Sequence, residues 1–73
     1  MKHTLTAIIE KENNLFVALC PELDIASQGT TIEEARLNLK EAVELFLSMA
    51  PQEELLSRLH GDLFITQFEV SHA

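Results

Sequence analysis

Between Thr4 and Glu10 apolar side chains alternate with polar ones, Leu5, Ala7 and Ile9 against Thr4, Thr6 and Glu10. This two-residue period predicts a strand from Lys2 to Lys11 with one buried face, interrupted mildly by Ile8. Glu12-Asn13-Asn14 supplies turn chemistry, because asparagine tolerates left-handed backbone angles. Leu15-Phe16-Val17-Ala18-Leu19-Cys20 is then apolar at both parities, the pattern of an inner strand covered on each side. Pro21 has no amide hydrogen for a ladder, so this strand ends there, and Asp24-Ile25-Ala26-Ser27-Gln28 forms a short third one.

After Gly29, which permits a sharp exit, the period changes. Thr31 and Glu34 have the spacing of a capping box, so a helix is expected to begin at Ile32. Ile32, Ala35, Leu39, Ala42, Val43, Phe46 and Ala50 fall on one side of it, the stripe needed to pack on a sheet, with Lys40, Glu41, Glu44 and Ser48 mostly away. Pro51 closes that helix or opens a second, and residues 52–59 read as about two turns with acids first, Arg58 near the end and Gly61 beyond. Leu63 to Val70 is rich in strand formers, with Phe64, Phe68 and Val70 in phase. The reading is a single α+β domain over residues 1–73: a three-stranded antiparallel sheet, a packed helix, a short helix and a C-terminal strand.

With 73 residues, such a domain buries only about 60% of its unfolded surface. A core of that size rarely supplies more than ~3–5 kcal/mol, so a homodimer or homotetramer is expected. Cys20 has no second cysteine to pair with, which fits a reducing cytoplasm. Met1-Lys2-His3-Thr4-Leu5-Thr6 does not read as a signal peptide, and no apolar run approaches the ~20 residues of a spanning helix, so a cytoplasmic protein without a membrane partner is expected. Twelve acidic against five basic residues give a net charge of -7. Phosphate backbones are repelled by such a surface, so direct nucleic-acid binding is not expected and a basic protein partner is favoured.

Two glycines leave no room for a phosphate-cradling loop, and no nucleophile elbow, zinc-type cysteine pair or EF-hand spacing occurs. His3, His60 and His72 lie in separate elements, and the acid pairs Glu22 with Asp24 and Glu33 with Glu34 read as solvated carboxylates at a strand end and a helix start. Catalytic residues, a metal site and a cofactor are therefore not expected. Leu37 and Leu45, eight residues apart on the outer face of the main helix, mark a candidate partner contact.

The segments Ala7-Ile8-Ile9-Glu10-Lys11-Glu12, Val17 to Asp24, Ser27-Gln28-Gly29 and Thr31-Ile32-Glu33-Glu34-Ala35 through Val43 together resemble the N-terminal domain of HicB-type antitoxins. The resemblance covers roughly residues 5 to 47 and implies a partial ribonuclease-H-like fold without nuclease activity. It further implies an antitoxin that binds and inhibits a small basic HicA-like toxin, which cleaves messenger RNA. Many members carry a C-terminal DNA-binding module, whereas only Ser71-His72-Ala73 follow Val70 here, so operator binding by this polypeptide is not expected. Leu23-Asp24-Ile25-Ala26 stands where many relatives have a Pro-Gly step. Glu10, Glu12, Glu22 and Asp24 are the candidate charged contacts, with Leu37 and Leu45 beside them. Two other readings stay open: a stand-alone homo-oligomeric HicB-like binding or regulatory module, and a residual metal-dependent hydrolase using Glu22 and Asp24.

Overall fold

In a computed structural model that describes residues 3–59 and 62–72, the chain forms β1 (Ile8–Glu12), β2 (Leu15–Cys20), β3 (Ile25–Gly29), α1 (Ile32–Met49) and α2 (Gln52–Arg58). The strands make an antiparallel sheet in the order β1-β2-β3. Glu12 pairs with Leu15, which leaves Asn13 and Asn14 as the turn, and Asn13 takes a φ of 55°. Few side chains tolerate that left-handed angle as cheaply as asparagine. The α+β order expected from the sequence is thus present from β1 to α2.

β1 starts later than the alternation predicts. Ile8 faces Leu19, and β2 ends at Cys20, so the residues before Ile8 soon run out of ladder partners. Pro21 stands next in line without an amide hydrogen. Thr6 turns instead to a side chain: its amide and its hydroxyl both donate to the Glu22 carboxylate, at 3.0 and 2.7 Å from Oε2.

α1 begins as its cap residues dictate. The Thr31 hydroxyl accepts from the Glu34 amide at 3.0 Å, while the Glu34 carboxylate reaches back to the amide of Thr30 at 2.7 Å. Gly29 lies directly beneath this first turn. A Cβ added there would sit 2.5 Å from the Ala35 nitrogen and 2.9 Å from the Glu34 Cβ, so the glycine is required by close helix-to-strand approach. The Asn38 amide group also donates to the Gln28 carbonyl at 2.8 Å, fastening α1 to the end of β3.

The core consists of Ala18, Cys20 and Leu23 from the sheet side and Ala35, Leu39 and Val43 from α1, with Phe46 and Leu47 packed against it. Ile32 does not join the stripe assigned to it. Ala35 is the residue that meets Gly29, so Ile32 projects outside the contact and stays 56% exposed. Past Pro51, α2 carries Glu53 and Glu54 in its first turn and Arg58 in its last, complementing the helix dipole. Arg58 anchors this helix, donating to the Leu23 carbonyl at 2.8 Å and lying 5.4 Å from the centre of the Phe46 ring.

The expected C-terminal strand is not formed. Residues 62–72 pair with no strand, and Leu63, Phe64, Ile65, Phe68 and Val70 are all exposed. Strand-forming side chains do not create a strand by themselves; a ladder needs a partner edge, and this segment meets none among the described residues. His60 and Gly61, the latter expected to follow the short helix, lie outside the described residues.

Candidate functional site

Cross-strand register sorts the sheet residues onto two faces. Ile9, Ala18 and Ser27 align across the sheet on the face toward α1, as do Cys20 and Ile25. Ile8 with Leu19, and Glu10 with Val17, occupy the opposite face, where Glu12 and Leu15 continue the row. No helix among the described residues covers that second face: α1 packs on the first, and α2 is held at the β2–β3 turn. The expectation that β2 is covered on both sides is therefore corrected. Ala18 and Cys20 are buried, whereas Val17 and Leu19 are half-buried and Leu15 is exposed. An apolar row of Ile8, Leu15, Val17 and Leu19 is left accessible, edged on β1 by Glu10 and Glu12.

The six residues singled out in the sequence do not converge. Glu10 and Glu12 lie on the open face toward the β1–β2 turn. Glu22 and Asp24 lie in the β2–β3 connection, at the other end of β2. Leu37 and Leu45 are exposed on α1, the layer packed on the other side of the sheet.

Glu22 is also committed structurally. Besides its bonds from Thr6, its carboxylate accepts from the Cys20 thiol at 3.5 Å. Burial pulls the Glu22 pKa up, but the hydrogen bonds from Thr6 and its own backbone outweigh this and hold it below the ordinary carboxylate value. The Cys20 thiol is pushed up, chiefly by burial, which makes it a poor nucleophile. Asp24 has a φ of 56° and an exposed side chain, a left-handed backbone angle that aspartate adopts more readily than most residues.

Among the described residues no group of three or more His, Cys, Asp and Glu is placed to hold a metal ion, and no helix is long and apolar enough to cross a membrane. The open apolar row was legible as the doubled parity of residues 15–20, but which of its faces stays uncovered was not. An accessible apolar row with an acidic edge is a surface suited to contact with another macromolecule.

A small α+β domain with one bare sheet face is the class that fold and site define. The chain belongs to the UPF0150 family: it is 37% identical over 70 residues to a UPF0150 protein of Helicobacter pylori, covering 94% of this chain and 97% of that one. It is also 49% identical over 49 residues to a UPF0150 protein of Synechocystis sp., covering 64% of this chain and 68% of the relative. No family model matches the chain, and no solved structure matches it significantly.

Proposed function

We propose that this protein is a non-enzymatic antitoxin, a short HicB-like domain that binds and inhibits a small basic HicA-like ribonuclease in the cytoplasm. The observation that carries this reading is the uncovered sheet face, with its apolar row of Ile8, Leu15, Val17 and Leu19 and its acidic border of Glu10 and Glu12. The net charge of -7 and the resemblance of residues 5 to 47 to HicB-type domains support it. A positively charged RNA-binding surface is attracted by the acids, which quicken encounter, and the apolar row sets the lifetime of the complex. The protein needs no contact with nucleic acid for this, since covering the ribonuclease suffices. The other reading, a stand-alone homo-oligomeric module without a toxin, draws on the same free apolar surface.

The test is inhibition of RNA cleavage by a basic ribonuclease encoded beside this gene. The unaltered protein suppresses cleavage without cutting RNA itself. Glu10→Lys with Glu12→Lys slows association and flattens its dependence on salt. Unchanged rates in that variant remove Glu10 and Glu12 from the interface, and failure of the unaltered protein to bind such a partner leaves the stand-alone module.

A further inference from the structure

A groove of about 660 Å³ runs between residues 3–7 and α1, and its apolar lining includes Leu5, Leu39, Val43 and Leu47. Residues 3–7 lead directly into β1, which among the described residues pairs only with β2 and so has a free edge beside the groove. Glu10, Lys11 and Glu12 guard the far end of β1, but Ile8, Ile9 and the preceding residues 4–7 carry no charge, so the end of the edge nearest the groove lacks the usual guard against an incoming strand.

The same chain carries a segment fitted to such a place. Phe64, Phe68 and Val70 share one parity and are 85%, 83% and 75% exposed. From Phe64 to Val70 an extended segment spans about 20 Å. The stretch of α1 lining the groove, from Arg36 to Leu47, spans about 17 Å, so the two lengths agree. The segment does not fold back onto its own groove. The chain reaches 48 Å along its longest axis, with a radius of gyration of 14.4 Å, against about 11 Å for a compact chain of this length.

We infer that two copies of this chain exchange C-terminal segments, residues 62–70 of each lying as an added strand on the free β1 edge of the other, with Phe64, Phe68 and Val70 in its groove. Every copy brings both a groove and a segment, so one two-fold contact covers all four. An unrelated partner filling the groove would leave the phenylalanines in water. Four such rings bury roughly 150–250 Å² each. Together with the matching groove surface they reach the ~1,200–2,000 Å² of a stable interface. The exchange uses the edge and the α1 side of the sheet, leaving the face proposed for the ribonuclease clear.

Two measurements on the full chain, with no toxin present, test this. In light scattering at micromolar concentration the unaltered protein has at least twice the mass of one chain, and Phe64→Asp with Phe68→Asp raises the dissociation constant more than about 100-fold. In a sample mixing isotope-labelled and unlabelled copies, filtered NOE spectra of the unaltered protein connect the Phe64 and Phe68 rings of one copy to Val43 and Leu47 methyls of the other. A monomeric unaltered protein, a folded double variant that dimerises as tightly, or ring-to-methyl contacts only within one chain each overturn the exchange. If the double variant fails to fold, the NOE contacts decide alone.

Discussion

Ala18 and Leu19 are neighbours on β2, yet Ala18 is wholly buried while Leu19, the larger and more apolar side chain, is only half-buried. The difference lies in what stands opposite. Ala18 meets α1, which crosses so closely that Gly29 cannot carry a side chain, whereas Leu19 meets no second layer among the described residues. Burial in a sheet is thus a property of the covering layer, and an apolar row that its own chain leaves bare is available to a partner.

The strongest way to break this comparison is to empty both faces in turn. Leu39→Ala, on the covered side, is expected to cost about 2–5 kcal/mol, comparable to the ~3–5 kcal/mol a domain of this size has to spend. Leu19→Ala should cost clearly less, under about 1.5 kcal/mol, because its methyl groups are partly in water already. Urea titrations that return equal losses would show that the bare face is covered in solution. Gly29→Ala comes next, at about 1–3 kcal/mol, since Ala35 backbone and not a flexible side chain must give way.

Glu22→Gln is expected to cost about 1–2 kcal/mol at pH 7 by weakening charge-assisted bonds from Thr6. Its carboxylate has a lower pKa folded than unfolded. The stabilisation is therefore fully present above the ordinary value of 4.5 and is lost as the pH falls through the lower folded value. The two proteins should then converge in stability in acid, and a gap that persists below that range would place the effect elsewhere. Asp24→Asn is the control for the turn, because asparagine also accepts a positive φ, and a stability within about 0.5 kcal/mol of the unaltered protein is expected at pH 7.

The smallest effect sharpens the comparison most. Val17→Thr on the bare face should alter the stability of the isolated protein by less than about 1 kcal/mol, while shortening the lifetime of a complex with the ribonuclease proposed as its partner. Dissociation rates that do not move would take Val17 out of the contact.

Local chemistry in the sequence determined most of what has a local cause. The left-handed Asn13, the Thr31 cap with its Glu34, the stop at Pro51 and the period of α1 each depend on residues within a turn of one another. The candidate site was legible only in part. Doubled parity in residues 15–20 announced apolar side chains on both faces, and the exposed outer positions of Leu37 and Leu45 followed from the helical period. Tertiary structure alone decided that α1 lies on the Ala18 side, that Glu22 is tied to Thr6, and that Phe64, Phe68 and Val70 find no edge among the described residues of their own chain. The physical reason is that a side-chain period fixes which residues share a face, while the layer or strand that covers it comes from residues distant in sequence, or from another molecule.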